Sequence, residues 1–385
     1  MAITSINSVV FKNMFITGAR YLESKKRYCN ELNVFPVPDG DTGTNMTLTV
    51  LAAVKEVENV DPNSMKEIAK AISSGSLRGA RGNSGVILSQ LFRGYTKEIS
   101  EYEEIDAIVL ANALTRGVET AYKAVMKPKE GTILTVAKEA ALKAVELSAE
   151  HDDLLYIMEQ VIIHAEDTLQ RTPDMLPVLK EAGVVDAGGQ GLMYVFRGAY
   201  MVLEQGGDVD ITFEIDARAD EVVEMNVQHI DHNIQFGYCT EFIINVPGDI
   251  ESERESLGIR MYLETIGDSI VAVADEDVIK IHVHTNEPGL ALQKALSVGS
   301  LSNIKIDNMR EQHETKVVTT EMLGHAVVDA KDYKDFGFVT ICSGDGISEI
   351  FRSLGADYVV QGGQTMNPST DDIISAISKV YAKEV

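Results

Sequence analysis

Cysteine, positive charge and long apolar runs are all scarce in this chain of 385 residues, and each shortage removes a class of protein. Cys29, Cys239 and Cys342 make an odd count with no C-x-x-C pair, which excludes a disulfide framework as the source of stability. Lys and Arg number 34 against 59 Asp and Glu, a formal net charge of −25 that speaks against nonspecific binding of nucleic acid or of an anionic membrane. No apolar run is long enough to span a bilayer, and the N-terminus shows no signal-peptide pattern, so a cytoplasmic enzyme with no transmembrane segment is expected. With 45% hydrophobic and 24% charged residues the chain can bury ordinary cores, but its length exceeds one usual domain.

Several phosphate and metal motifs are missing as well. No G-x-x-x-x-G-K-[ST] run occurs, and Gly189-Gln190-Gly191 and Gly344-Asp345-Gly346 lack the final glycine of a dinucleotide fingerprint. An EF-hand beginning at Asp39 would need glycine sixth and glutamate twelfth, where the chain has Thr44 and Val50. No Ser-His-Asp or Cys-His arrangement for nucleophilic catalysis stands out.

What is present begins at Asn33, where N-V-F-P-V-P-D-G-D-T-G-T-N sets Asp39 and Asp41 between prolines and glycines, ahead of an apolar helical pattern. Pro36 and Pro38 hold the approach extended, Gly40 and Gly43 allow turns closed to other residues, and Thr44-Asn45 can cap the following helix. Hard oxygen ligands beside a positive helix end suit Mg²⁺ and phosphate together. The plain alternative is an Asp-Gly turn that only starts a helix. The same device recurs in S-S-G-S-L-R-G-A-R-G-N-S-G-V-I-L-S-Q from Ser73 and in G-V-V-D-A-G-G-Q-G-L from Gly183. Three such helix starts can converge on a polyphosphate, with Asn83, Ser84 and Asp186 offering side chains and Gly82, Gly188 and Gly189 allowing close backbone approach. Close helix packing explains the same glycines.

Taken in order, D-G-D-T-G-T-N-M, G-x-R-G-N-S-G, G-T-I-L-T at Gly131 to Thr135 and V-D-A-G-G-Q-G resemble the nucleotide-binding L domain of dihydroxyacetone kinases over the first half of the chain. The spelling N-V-F-P-V-P-D-G-D-T-G-T-N-M, with the downstream segments, more closely resembles the ATP-binding subunit of bacterial fatty acid kinase. The resemblance implies an all-α helical barrel that binds Mg-ATP at one end, with the acceptor delivered by a separate protein. Carried over motif by motif, it implies that Asp39 and Asp41 hold Mg²⁺ and are the catalytic pair. Thr44, Asn45, Ser84 and Asp186 would lie along the nucleotide, and Gly82 and Gly188 would approach it by backbone. Dihydroxyacetone kinases place a third aspartate upstream and a histidine after the second aspartate, whereas this chain has Asn33 and Thr42, so Asn33 is a weaker ligand candidate. Thr132 aligns with a further nucleotide-contacting loop.

Near residue 206 the pattern changes. Ile133 to Ala149, Asp153 to Leu169 and Gly191 to Glu204 carry helical spacing, whereas Glu241 to Val246, Ser269 to Val273 and Val278 to His284 are β-branched runs with helical patterns at Glu251 to Thr265 and Leu290 to Ser297. His282 and His284 flank Val283 on a predicted strand and share a face, and Cys239 near another strand start can complete a Cys-His-His site suited to Zn²⁺, with Glu241, another carboxylate or water fourth. The alternative is a buried cysteine with two hydrogen-bonded histidines. Acidic runs such as Glu101 to Asp106 are expected to face water, and His229, His232, His313 and His325 are given no role. From about Tyr333 a third α/β domain begins, where Gly344 to Gly346 and Gln361 to Ser369 are either ligand contacts or turns at strand ends. In the resembled family this domain continues well past Val385, so a fragment or shortened version is expected.

The expected organisation is multidomain: a helical kinase domain over 1–205, an α/β middle domain over 206–330 and the start of a third α/β domain over 331–385. The expected reaction is ATP-dependent phosphorylation of a fatty acid carboxylate, presented by a DegV-type lipid-binding protein, to acyl phosphate and ADP, with a homodimer implied by the family. The alternatives are a dihydroxyacetone or small-polyol kinase and a nucleotide-binding regulatory module without catalysis.

Overall fold

The computed structural model describes residues 2–36, 38–206, 235–248, 251–310, 334–342, 345–361, 376, 380 and 382–384. Its long helices are α1 (Ser8–Glu31), α2 (Thr42–Val57), α3 (Met65–Gly79), α4 (Gly82–Ile99), α5 (Ala107–Ala124), α6 (Ile133–Ser148), α7 (Leu154–Gln170) and α10 (Ala187–Glu204). Each packs on the next in this order and α10 packs back on α1, which closes the ring expected of a helical barrel. The short α8 (Thr172–Met175) and α9 (Pro177–Ala182) bridge α7 to α10. Inside the ring, Leu22, Met46, Ile68, Ile72, Leu88, Leu134 and Ile157 are fully buried, each favouring the fold by about 1.5–3 kcal/mol. The barrel is not wholly helical: β1 (Ser5–Asn7) pairs antiparallel with β2 (Glu104–Asp106). In the acidic run the carboxylates face solvent, but Ile105 between them is buried in the core.

The helix starts fall into two kinds. Asn7, Ser64, Asp106 and Asp153 each accept a first-turn N–H of their own helix, α1, α3, α5 and α7 respectively. At α2, α4 and α6 the N-cap residues Asp41, Arg81 and Thr132 make no such bond. Thr44 and Asn45 were expected to cap α2, but they lie inside its first turn because the helix already begins at Thr42.

The second architecture is a four-stranded antiparallel sheet in the order β4-β5-β3-β6, from β3 (Tyr238–Asn245), β4 (Gly267–Asp275), β5 (Val278–Thr285) and β6 (Ser300–Asn308). With α11 (Ser252–Leu263) after β3 and α12 (Pro288–Leu296) after β5, it is a β-α-β-β-α-β unit. Period-two alternation sorts β5 cleanly: Ile279, Ile281 and Val283 join Phe242 and Ile244 in a core that includes Ile259 and Leu263 of α11 and Ala291 and Ala295 of α12. Lys280, His282 and His284 therefore project from the opposite face, and yet every residue of β5 is buried. The cover comes from the barrel. Val271 and Val273 cluster with Leu77, Ala80 and Val86, Val125 bridges to Val271, and Arg93 donates to the Ala274 carbonyl while lying 3.6 Å from Asp275.

Because of that shared seam, barrel and sheet fall in one compact unit, Met1–Thr315. The other unit, Lys316–Val385, holds β7 (Lys334–Phe336) paired parallel with β10 (Ala382–Glu384), and β8 (Val339–Cys342) paired parallel with β9 (Tyr358–Gln361) across α13 (Asp345–Ser353). This matches the α/β character expected there. His229, His232, His313, His325, Gly344 and the stretch 362–369 lie outside the described residues. Among the described residues no helix is long and apolar enough to cross a membrane.

Candidate functional site

A cavity of about 660 Å³ opens between the helix starts and the polar face of the sheet. Thr42 of α2, Asn83 and Ser84 of α4, Thr132 and Ile133 of α6, and Asp186 and Gly188 of α10 line it on one side, and Gly267, Asp268, Ser269 and His284 on the other. Segments far apart in sequence thus meet at one wall. Its size is that of a pocket for a nucleotide or other small molecule.

The aspartate loop borders this cavity through Phe35, Pro36 and Thr42, whereas Asp39, Asp41, Thr44 and Asn45 are not among the lining residues. Both aspartates are half-buried. Asn33 is buried, and its carboxamide oxygen accepts from the backbone N–H and from the hydroxyl of Thr42. The two positions that depart from the dihydroxyacetone kinase pattern therefore bond to each other, and Asn33 caps α2 from outside it. Asn30 does the same two residues on, accepting the Thr44 N–H at 3.0 Å and donating to its hydroxyl at 2.9 Å. The Thr42 and Thr44 amides of this first turn thus both have side-chain acceptors.

At α4 the partner comes from the sheet. Glu241 Oε1 lies 2.6 Å from the Gly82 nitrogen and accepts its N–H. Gly82 has φ +57, and a Cβ there would strike the Asn45 side chain, so its expected close approach is to Asn45 and Glu241. Gly189 meets Val136 and Leu169 at 2.9 and 3.0 Å from a built Cβ, which makes it a helix-packing glycine. Gly188, by contrast, stays on the cavity wall.

Asp186 caps α10 through the Gly189 N–H at 2.7 Å, and its carboxylate also accepts from Gly188 and from Ile133 at the start of α6. Burial raises its pKa to about 6, against the pull of those N–H donors. One carboxylate thus joins two helix starts at the cavity.

On the sheet, β3 and β5 pair Cys239 with His284 and Glu241 with His282, so the four side chains share the face toward the barrel. Cys239, His282 and His284 bring ligand atoms within 4.8 Å of one another, the one such group found among the described residues. Cys239 Sγ lies 3.9 Å from His282 Nδ1, the nitrogen that also faces Glu241. His282 Nε2 is buried without a hydrogen-bond partner, an orphan that a metal would satisfy. The donor set fits Zn²⁺. Burial opposes charge on Glu241, but His282 and Lys280 hold its pKa down to about 2. His282 is pushed up to about 10 by Cys239 and Glu241 against its own burial, while burial and the neighbouring His282 push His284 down to about 3.

Other residues carried little or no signal in the sequence. Lys127 and Lys129 line the cavity from the loop after α5, Asp268 lies 3.9 Å from His284 Nδ1, and Lys305 of β6 pairs with Asp307 at 2.6 Å, in the field of both Glu241 and Asp41. Lys280 was discoverable, since it sits two residues before His282 and period two puts it on the same face.

Comparison with known proteins gives three family matches: the DAK2 domain over residues 36–201, the FakA-like middle domain of the fatty acid kinase family over 235–316, and the FakA-like C-terminal domain of the same family over 337–385. Protein YloV of Bacillus subtilis is 44% identical over 395 residues, covering 100% of this chain and 70% of YloV. The Staphylococcus haemolyticus protein SH1689 is 44% identical over 392 residues, covering 99% of this chain and 69% of its own length. A dihydroxyacetone kinase of C. freundii, solved in complex with AMP-PNP and Mg²⁺, is matched with a TM-score of 0.38 and 19% identity over 52% of this chain and 34% of that one. The chain belongs to the kinase-like family that joins a DAK2 domain to FakA-like middle and C-terminal domains.

Proposed function

We propose that this chain is the ATP-binding subunit of a fatty acid kinase, phosphorylating the carboxylate of a fatty acid presented by a separate DegV-type lipid-binding protein. The observation that carries the reading is the meeting of Asn83, Ser84, Thr132, Asp186 and Gly188, from separated segments, on one cavity of nucleotide size. Asp39 and Asp41 would hold Mg²⁺ at its border, since Asp41 is free of helix capping and both carboxylates are half-buried. Mg²⁺ bound there supplies charge neutralisation for the triphosphate. Asn83 and Ser84 orient the nucleotide, and Lys127 and Lys129 line the same space.

A fatty acid carboxylate is ionised near neutral pH, its pKa being about 4, so the acceptor needs no general base. One carboxylate oxygen forms the new bond to the γ-phosphorus, the bond from that phosphorus to the β-bridging oxygen breaks, and ADP leaves with the electron pair. Positioning and electrostatics are sufficient chemistry for this transfer. Cys239, His282 and His284 would hold Zn²⁺ beside the cavity, on the face of the sheet that meets the barrel.

The test is ADP release from Mg-ATP with fatty acid loaded on a DegV-type carrier. Turnover that requires both fatty acid and carrier supports the reading. Turnover of free dihydroxyacetone without a carrier would move the acceptor to a small polyol, and Mg-ATP binding with no turnover under either condition would leave a regulatory module.

A further inference from the structure

We propose that Glu241 is a positioning residue through which the Cys239, His282 and His284 cluster, once it holds a divalent metal, sets the order of the Gly82 to Ser84 turn on the cavity wall. The inference rests on the metal reading of that cluster and is independent of the identity of the acceptor.

The links are short and dry. Helix α4 has no side-chain cap of its own, so the oxygen that satisfies its first N–H comes from another element: Glu241 Oε1, 2.6 Å from the Gly82 nitrogen. The same oxygen lies 3.1 Å from His282 Nδ1, and the second carboxylate oxygen lies 3.5 Å from Lys280 Nζ. Glu241, His282 and Lys280 are all at most 3% exposed, so water is not available to replace a lost contact. On the far side of the ring, His282 Nε2 has no hydrogen-bond partner. Imidazole can therefore be gripped by a metal while its orientation is transmitted to the carboxylate, the arrangement by which carboxylates behind ligating histidines tune metal sites. Beyond Gly82, the next two residues, Asn83 and Ser84, line the cavity. Gly82 at φ +57 lacks the side-chain restriction that would otherwise fix this turn, so it is held from outside, by the Glu241 carboxylate at Gly82 and by Thr49 Oγ1 at the Arg81 N–H.

A purely structural Glu241 would support the turn equally with the cluster empty or filled, so the decisive quantity is the response to metal. The full chain is stripped with a chelator and titrated with Co²⁺ alone, with no nucleotide present. A thiolate-to-cobalt absorption band reports filling of the cysteine-containing cluster, and amide hydrogen exchange over residues 80–88 reports the turn. In the wild type, exchange at the turn is expected to slow on the order of tenfold as the band saturates. In Glu241→Gln the band should appear while the turn no longer responds, because the carboxamide must set N–H donors against the Lys280 ammonium or the His282 ring. A cobalt-filled wild type with an unchanged turn overturns the proposal, as does a variant that responds as fully as the wild type. Absence of the band in the wild type removes the metal reading and this inference with it. The wild-type titration stands without the variant, and the phosphoryl-transfer reading is untouched by either result.

Discussion

Helix starts away from the cavity and those at the cavity are built differently. α1, α3, α5 and α7 are closed by Asn7, Ser64, Asp106 and Asp153 from their own chain segment, whereas α2, α4 and α6 are closed by Asn33, Glu241 and Asp186 from elsewhere. A local cap needs only the right residue in the right place. A cap supplied from another element makes the start of one helix depend on the position of a second, and α4 depends on the sheet in this way. The cavity is therefore held by the same contacts that hold barrel and sheet together, with Asp186 as the intermediate case that serves its own helix and α6 at once.

The strongest test of the cavity side of this comparison is Asp41→Ala. Asp41 stands at a helix start without capping it, so the circular dichroism spectrum and thermal midpoint should be retained. Carrier-dependent ADP release should fall on the order of 10³-fold, the scale set by losing a group that stabilises charge in the transition state. Retained turnover would separate the loop from the chemistry.

Asp186→Asn probes the shared cap. Because the folded pKa of about 6 lies above the ordinary 3.8, Asp186 binds its proton more tightly folded than unfolded. The stability this contributes is fully present below pH 3.8 and is lost as pH rises through about 6. The asparagine variant cannot ionise, so urea denaturation should show it gaining on the wild type between pH 4 and 7, by about 3 kcal/mol at most. A constant difference across that range would mean that the carboxylate is not buried as described.

Asn33→Ala leaves a buried N–H and hydroxyl of Thr42 without their acceptor and should cost about 2 kcal/mol in the same assay. Asn33→Asp restores the acceptor and sharpens the reading further. Magnesium affinity that is unchanged marks a cap alone, and affinity that rises marks a residue also within reach of the cation.

The smallest effect is expected at the helix starts away from the cavity. Ser64→Ala removes the exposed bond to the Glu67 N–H and should lower stability by about 1 kcal/mol, with Mg-ATP affinity and turnover unaltered. If turnover fell as well, the two classes of helix start would not be separable.

The same division explains what was legible beforehand. Helix spacing from Ile133 onward and the alternation of V-I-K-I-H-V-H-T placed α6, α7, α10 and β5 closely, and put His282 and His284 on one face. Cys239, 43 residues from His282, reached the pair because strand pairing in register turned a distant cysteine into a neighbour. The edge strand β6 escaped notice: S-L-S-N-I-K-I-D-N is mostly exposed, with Ile304 and Ile306 open to solvent, and offers no core-facing run. At Gly82 and Gly189 an absent Cβ says that something comes near but not whether it is ligand, side chain or neighbouring helix.

By itself the sequence determined the local conformations: where the chain turns, which helices carry their own caps, which strand residues point the same way, and the order of glycine-rich motifs that marks the family. Only the tertiary structure decided that Asn33 serves Thr42, that Glu241 reaches across to Gly82, and that the polar face of a sheet is buried against a barrel. The reason is range. Capping and alternation are set within a few residues by backbone geometry, whereas a buried polar group takes whichever partner packing brings to it, however far away that partner lies in the chain.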